Sequence, residues 1–471
     1  MASEWESYTI EELASSEKSA LATGPFGSAI SAKFFVDAGF PVIRGSNLST
    51  LTSERMNDEG LVFVSDEKAA EFKRSVVRKG DLIFTCWGTI NQVGLIDSRC
   101  RYPEYIISNK QMKVTLDTSK ADPLFVYYYF SSPAKQREIL QNGIGAAVPG
   151  FNLGQLRSHT LRLPPLSLQK KISSFIDALD SKITLNRQIN QTLEQMAQAL
   201  FKSWFVDFDP VMDNALDAGN PIPDELQHRA EARKAVRESE GFKPLPDDVR
   251  QLFPDAFEES ELGWVPKGWK PSNVGAEFDV TMGQSPPGST YNELGIGIPF
   301  FQGKTDFGFR YPTNRIFCSE PKRLAEKADT LISVRAPVGD INLAAENCAI
   351  GRGLAAARHK SGSPSFTYYA MSNLSTHFEV FEGEGTVFGS INQKDFKALP
   401  QIKVTTDVIA KFDEHCGVWD KKIETVSEQI GNLTKLRDTL LPKLISGELR
   451  LDDVEAAVEQ EAVSAEQQNE R

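Results

Sequence analysis

The chain repeats itself, and this repeat limits its possible folds more than any other feature of the sequence. Short segments recur in the same order in both halves, at offsets that shrink from 264 to 240 positions: Trp5 with Trp269, 81–84 with 329–332, 125–128 with 366–369, 145–152 with 385–392 and 180–183 with 420–423. Ordered matches of this kind indicate a duplicated unit whose loops differ in length. The chain has 471 residues, far more than the roughly 150 of one domain, and is long enough for two such units.

Each repeat ends in a segment with the periodicity of a long amphipathic helix. In the second repeat, apolar residues recur at steps of three and four, which predicts one helical stripe. Its members are Phe412, Cys416, Trp419, Ile423, Val426, Ile430, Leu433, Leu436 and Leu440. The same stripe 240 positions earlier contains Ile172, Ile176, Leu179, Ile183, Leu193, Met196 and Leu200. Asn186 and Asn190 interrupt the earlier stripe, and such polar residues can fix the register between helices. The pattern predicts two coiled-coil helices, each with a stripe of about 42 Å at ~1.5 Å per residue.

The net charge of −12 is concentrated in two segments. Residues 207–262 have a net charge of −9 and residues 448–471 a net charge of −6, which leaves about +3 on the rest of the chain. Segment 207–262 is also rich in proline, with one short helix expected around 225–238. The folded parts are therefore mildly basic, which permits DNA binding without requiring it.

Short apolar alternations such as 81–85 and 331–334, in the regions before the helices, are typical of strands. Together these observations predict an α+β fold. It consists of two mixed α/β domains, separated by two long antiparallel coiled-coil helices and related by a pseudo-twofold internal repeat. The predicted segments are a first domain (1–163), a central helical spacer (164–206), an acidic connector (207–262), a second domain (263–403), a C-terminal helical spacer (404–447) and an acidic, flexible tail (448–471).

Motifs for catalysis, metal binding and membrane insertion are missing from the sequence. Residues 302–305 resemble the end of a phosphate-binding loop, but Ile298 stands where that loop needs glycine. The five cysteines and five histidines are scattered without metal-ligand spacing, and no apolar run has the length of a membrane helix. We therefore expect a cytoplasmic binding protein with no catalytic site, no metal and no membrane contact. A stand-alone DNA methyltransferase or nucleotide hydrolase, and a coiled-coil scaffold, remain as alternatives.

The loops of both β-rich regions contain side chains that can read base edges or bind phosphates. In the first region they include 44–47, 85–89 and 108–111, with Arg44, Ser46, Asn47, Thr85, Trp87, Asn109 and Lys110 as candidate DNA contacts. In the second region the candidates are Gln284, Ser285, Gln302, Lys304, Arg335 and Arg352. For any one of these residues an ordinary solvated loop is the competing interpretation.

Several longer stretches carry a family resemblance. They are 163–166 leading into the first helix, 199–210 at its end, 262–269, 282–292 with 299–307, and 440–449 at the end of the second helix. With these stretches the chain resembles the specificity subunit of type I restriction-modification enzymes. The resemblance extends from Trp5 to about Leu451.

The resemblance implies that each domain reads one half of a split site in double-stranded DNA. It also implies that the helices act as a ruler and dock two methyltransferase subunits, with ATP-dependent motor and nuclease subunits as further partners. The chain itself would bind no cofactor, and S-adenosylmethionine and ATP with Mg²⁺ are expected on the partners. A DNA-binding or scaffold subunit of a methylation-only or related phage-defence system is the alternative.

Overall fold

The computed structural model describes residues 5–143, 150–381, 389–454 and 456–457. The chain forms two compact units, the first made of Met1–Gln188 with Val426–Arg471 and the second of Ile189–Thr425. Each unit combines a β-rich domain with parts of two long helices. The predicted α+β class is therefore confirmed. The matched segments 145–149 and 385–388 lie outside the described residues.

The domain of the first unit is built from short strands and helices. Its strands are β1 (Glu6–Thr9), β2 (Leu21–Thr23), β3 (Phe40–Ile43), β4 (Val62–Val64), β5 (Val76–Arg78), β6 (Leu82–Thr85), β7 (Val93–Leu95), β8 (Glu104–Ile107), β9 (Gln111–Val114) and β10 (Thr160–Leu163). Its helices are α1 (Ile10–Leu13), α2 (Asp66–Ala70), α3 (Pro123–Ser131), α4 (Pro133–Gln141) and α5 (Leu153–Ser158). One sheet has the antiparallel order β2-β9-β6-β7, another has the order β4-β3-β8-β5 with β3 and β8 parallel, and β1 pairs with β10.

A long helix and the acidic connector follow this domain. The helix α6 (Leu166–Phe205) is followed by α7 (Asp209–Ala218), α8 (Gln227–Arg237), α9 (Asp247–Arg250), β11 (Phe257–Ser260) and β12 (Gly263–Pro266). The connector is thus more structured than the single helix that the sequence predicts. Its apolar residues Phe208, Val211, Val249 and Phe253 are buried in the core of the second unit, and apolar burial of this kind is what holds the segment folded.

The second unit contains the other β-rich domain. Its elements are β13 (Lys270–Asn273), α10 (Val274–Glu277), β14 (Phe278–Met282), β15 (Tyr291–Asn292), β16 (Ile298–Phe301), β17 (Phe317–Cys318), β18 (Leu324–Ala325), β19 (Thr330–Val334), β20 (Val338–Leu343), β21 (Cys348–Ile350), β22 (Leu354–His359), α11 (Pro364–Ser372), α12 (Ser375–Glu379), α13 (Gln393–Ala398), β23 (Pro400–Lys403) and the long helix α14 (Thr406–Ser446).

The two domains share a strand topology, which confirms the repeat. The order β14-β22-β19-β20 matches β2-β9-β6-β7, the parallel pair β16 and β21 matches β3 and β8, and β13 pairs with β23 as β1 pairs with β10. Helix caps repeat as well. The side chains of Asn152 and Asn392, 240 positions apart, accept hydrogen bonds from the backbone N–H groups of Gln155 and Asp395 at 2.9 and 3.0 Å.

Helices α6 and α14 pack against each other in antiparallel fashion within each unit. In the first unit Arg437 Nη1 donates to Asp180 Oδ1 at 2.8 Å, and Asn186 Nδ2 donates to Gln429 Oε1 at 3.3 Å. In the second unit the rings of Phe205 and Phe412 lie 5.2 Å apart. The pairing of two long helices is therefore confirmed.

The buried stripe follows most of the predicted positions. Buried members are Ile172, Ile183, Phe412, Ile423 and Leu440, and half-buried members are Leu179, Leu193, Leu200, Trp419, Ile430 and Leu433. The prediction that Met196 and Leu436 belong to the buried stripe is wrong. Both side chains are exposed, and their neighbours Ala197 and Arg437 are buried instead. An α-helix has 3.6 residues per turn, so a regular apolar stripe drifts around the helix and the buried position moves by one residue.

The acidic tail begins with a packed turn rather than a flexible segment. Leu451 and Val454 are buried in the core of the first unit. Burial of these two apolar side chains fixes the start of the segment that the sequence predicts to be flexible. The rest of that prediction, residues 455 and 458–471, lies outside the described residues.

Candidate nucleic-acid interface

In the first domain, three loops at strand ends surround a concave pocket with a volume of about 600 Å³. The loops follow β3, follow β6 and join β8 to β9. Together they bring six of the predicted DNA contacts to this surface: Arg44, Ser46, Thr85, Trp87, Asn109 and Lys110. We call it the first-domain pocket. Residues far apart in the chain thus converge because the strands that carry them are neighbours in two sheets.

Asn47, the seventh predicted contact in this domain, is buried below the pocket. Its Nδ2 donates to the carbonyl oxygens of Asn57 and Glu59 at 3.0 and 3.1 Å, and its Oδ1 accepts from the backbone N–H of Arg44 at 3.0 Å. The amide is therefore used inside the protein. Asn47 holds the loop in shape and does not line the pocket.

Two glutamines that are not among the predicted DNA contacts also line the pocket. Gln92 and Gln111 line it, and Thr85 Oγ1 donates to Gln92 Oε1 at 3.2 Å. Gln111 belongs to the 108–111 loop, but its burial depends on strand pairing that the sequence does not reveal. Burial raises the pKa of the neighbouring Cys86 thiol to about 12. The thiol therefore stays protonated near neutral pH and is a poor nucleophile.

In the second domain, the predicted contacts also meet at the ends of strands. The backbone N–H of Arg352 donates to Ser285 Oγ at 3.2 Å, and the backbone N–H of Gly353 donates to Gln302 O at 3.1 Å. Arg335 directly follows Val334, whose N–H donates to Gly353 O at 2.9 Å. Gln284 is exposed beside Ser285.

The cations of this second cluster are exposed. Arg335 and Arg352 present guanidinium groups to solvent, and Lys304 Nζ lies 2.7 Å from Asp340 Oδ2 in an exposed ion pair. Exposed Arg and Lys side chains are suited to phosphates and base edges. We call the six residues the second-domain cluster.

The two loop clusters occupy equivalent places in the repeat. The backbone N–H of Gly24 donates to Gln111 O at 2.9 Å, and that of Gly283 donates to Leu354 O at 2.9 Å. Trp87 forms an isolated β-bridge with Gly150, as Arg335 does with Ser390. Equivalent backbone positions therefore carry different side chains.

Residues 2–195 match the family described as "Type I restriction modification DNA specificity domain". Over 421 residues the chain is 27% identical to a provisionally named type I restriction enzyme MjaX specificity subunit of Methanocaldococcus jannaschii, covering 88% of both proteins. It is 25% identical over 420 residues to the type I restriction enzyme HindI specificity subunit of Haemophilus influenzae, covering 80% of this chain and 88% of the relative. Residues 2–195 therefore form a type I specificity domain, and most of the chain is similar to type I specificity subunits.

A solved structure has a similar fold. The S subunit of a type I restriction-modification system from M. genitalium superimposes with a TM-score of 0.56 at 15% identity, covering 93% of this chain and 96% of that one. At this identity the likeness concerns the fold alone.

Members of the specificity-subunit family are generally not catalytic. The described residues contain no group of three or more His, Cys, Asp or Glu side chains arranged to hold a metal ion. Within the same residues, no helix combines the length and the apolar character needed to cross a bilayer.

In the first unit, a buried arginine joins the domain to α6. Arg55 donates hydrogen bonds to three acceptors: Asp97 Oδ2 at 2.7 Å, Tyr128 OH at 2.9 Å, and Asp177. Tyr128 OH in turn donates to Asp180 Oδ2 at 2.9 Å. Burial raises the pKa of the Tyr128 hydroxyl, so this group remains a donor at any physiological pH. We call this network the first arginine anchor.

The second unit contains the equivalent network, the second arginine anchor. Arg310 Nη2 donates to three acceptors: Glu194 Oε2 at 2.5 Å, Tyr369 OH at 2.6 Å and Asp420 Oδ1 at 2.9 Å. The guanidinium also lies 4.0 Å from the ring centroid of Tyr368, a cation–π contact. The tyrosines and the helix aspartates of the two anchors occupy matching repeat positions, but neither arginine shows any signal in the sequence.

Gly24 gives a prediction for the first-domain pocket. A Cβ atom at this position would lie 1.8 Å from the carbonyl oxygen of Ser108, so Gly24→Ala must displace the 108–111 loop. We expect binding to the first half of the DNA site to weaken about tenfold or more, the size of losing one good base contact. Competition binding with duplexes altered in one half-site measures this.

The matched control for Gly24→Ala is Gly288→Ala in the second domain. A Cβ at Gly288 meets no atom within 4 Å among the described residues, so its loop needs no adjustment. Equal losses from the two substitutions would contradict the steric argument.

Proposed function

We propose that this chain selects the DNA site of a type I restriction-modification complex that acts in the cytoplasm. Each domain reads one half of a bipartite site in double-stranded DNA, the first through its pocket and the second through its cluster. The long helices dock two methyltransferase subunits, and ATP-dependent motor and nuclease subunits join the same complex. S-adenosylmethionine and ATP with Mg²⁺ bind to those partners and not to this chain.

The main support is the repeated placement of the loop clusters. The two domains share a strand order, and their loops converge at equivalent strand ends. At those ends stand Arg, Lys, Asn, Gln and Ser, the residues that commonly contact bases and phosphates. Since the side chains differ between the domains, the two half-sites should differ in sequence.

Exchange of one domain tests this proposal. Replacing residues 263–403 with the second domain of another family member should change one half of the methylated motif and leave the other half unaltered. The readout is sequencing of methylated adenines in DNA from cells that carry the complex. The reciprocal exchange of residues 1–163 is the control and should alter only the other half. A change on both sides of the motif after a single exchange would overturn independent reading by the two domains.

The isolated chain should bind its specific site only weakly. Outside the two acidic segments its net charge is about +3, and phosphate neutralisation supplies much of the affinity of DNA-binding proteins. We expect the methyltransferase partners to raise affinity at least 100-fold in fluorescence-anisotropy titrations at physiological salt. Nanomolar, sequence-specific binding by the chain alone would refute this expectation.

A further inference from the structure

The first-domain pocket contains a buried amide with one end unpaired. Gln111 is 0% exposed and lines the pocket; its Oε1 accepts from Ser108 Oγ, whereas its Nε2 has no partner among the described residues. Reversing the amide would only exchange which end lacks a partner. Buried polar groups are nearly always hydrogen-bonded in folded proteins. An unpaired one that lines an open pocket is therefore available to a polar ligand.

An almost fully exposed aromatic side chain stands on a loop that is hydrogen-bonded to residues of the same pocket. Phe26 is 97% exposed, on the loop between Gly24 and Gly27. This loop is attached to the pocket wall, because Asn109 Nδ2 donates to Gly27 O at 2.8 Å and Gly24 N–H donates to Gln111 O at 2.9 Å. Covering this exposed ring with an apolar partner would be favourable, because it removes apolar surface from water.

The pocket wall also offers an aromatic platform and cations. Trp87 lines the pocket and is 53% exposed, and its ring rests against Gly150, where a Cβ would come within 2.7 Å of it. Arg44 and Lys110 lie on the same surface. An aromatic face, an unpaired amide and flanking cations are the groups that hold a nucleobase outside a stack.

We propose that the first-domain pocket receives an unstacked nucleobase of the first half-site, while Phe26 fills the gap left between the neighbouring base pairs. The base stacks on Trp87 and hydrogen-bonds through its polar edge to Gln111, and Arg44 and Lys110 contact the flanking phosphates. This inference rests on the proposed function. Inserted apolar side chains unstack pyrimidine–purine steps most readily, so the first half-site should contain such a step.

The second domain is built differently at the equivalent place. Leu354 stands where the first domain has Gln111, and residues 283–288 carry Gln284 and Ser285 in place of an aromatic residue. Distortion of the DNA is therefore confined to the half-site that the first domain reads. This asymmetry provides an internal control, since the second half-site should remain stacked.

Fluorescence of base analogues tests the proposal in the complex of this chain with its methyltransferase partner. A fluorescent analogue replaces the resident base at each position of each half-site in turn. We expect binding to raise fluorescence several-fold at one position of the first half-site, other than the methylated adenine, which the methyltransferase itself extrudes. Phe26→Ala and Gln111→Leu should each abolish the rise and weaken first-half-site binding about tenfold, whereas Phe26→Leu should retain it in part.

The control variant is Val236→Ala, which removes a half-exposed apolar side chain from α8 and should preserve the rise. No increase at any unmethylated position, with first-half-site recognition intact, would overturn unstacking while leaving the proposed function in place. An increase that survives Phe26→Ala and Gln111→Leu would likewise overturn it. Loss of sequence-specific methylation in the unmodified complex would instead count against the proposed function itself.

Discussion

Replacing Arg310 with alanine should lower the free energy of unfolding of the second unit by about 3–5 kcal/mol. Arg310 is 2% exposed and bonds to Glu194, Tyr369 and Asp420. Removing it leaves two carboxylates close together without a cation, and breaking a buried ion pair from one side typically costs this much. Urea unfolding followed by tryptophan fluorescence measures the loss.

Lys327→Ala is the matched control for Arg310→Ala. Lys327 Nζ lies 3.1 Å from Oε1 of Glu424, a residue of α14 like Asp420, but the Lys327 side chain is 63% exposed. Exposed ion pairs contribute about 0–1 kcal/mol, so this variant should unfold almost like the unaltered chain. A loss as large as that from Arg310→Ala would mean that burial does not determine the cost.

Residues 1–206 expressed alone should form a twofold dimer. In the first unit, Leu440, Leu444 and Ile445 of α14 join one hydrophobic core with Ile172 and Ile176 of α6. Without α14 this apolar surface is exposed, and α6 from a second copy offers the same stripe. Coexpressed with the methyltransferase, the dimer should present two copies of the first reader and methylate a palindrome. A monomeric fragment by mass measurement, or an asymmetric methylated motif, would contradict this.

One substitution should strengthen that dimer. In the full chain Asp180 is paired with Arg437, and the residue 240 positions before Arg437 is Ala197. In the fragment, Asp180 therefore faces alanine. Ala197→Arg should restore a buried charged hydrogen bond and tighten dimerisation about tenfold or more, since such bonds contribute roughly 1.5–3 kcal/mol. Ala199→Arg, at an exposed position of α6, should have little effect.

Much of the architecture could be predicted from the sequence because it depends on local periodicity and on the repeat. The helices α6 and α14 begin and end within two residues of the predicted spacers. Their apolar stripes are long, and residues that limit helices stand at their ends, such as Pro164 before α6 and Gly447 after α14. The connector was less predictable. Its apolar residues are separated by acidic ones that pair with arginines such as Arg233, and no single window shows a strong periodic pattern.

The candidate site was predictable only as a set of loop residues. Composition pointed to loops rich in polar and basic side chains, and in both domains the structure brings most of them together. Asn47 and Gln111 show which information the sequence lacks. Composition does not reveal whether a buried amide is hydrogen-bonded within its loop, as in Asn47, or lines the pocket, as in Gln111. The anchor arginines were also not predicted. Arg55 and Arg310 are 255 positions apart, which fits the offsets of the flanking matches, but a single arginine in a loop has no periodic pattern that would draw attention to it.

The arginine anchors also limit how such chains can exchange parts during evolution. In each anchor the arginine and the tyrosine belong to the β-rich domain, whereas acceptor carboxylates such as Asp180 and Asp420 belong to the helices. A domain transferred between alleles by recombination must therefore bring a cation to the place where the resident helix holds its acids. Alleles whose incoming domain lacks that arginine should be purged as poorly folded chains, however well their loops could read DNA.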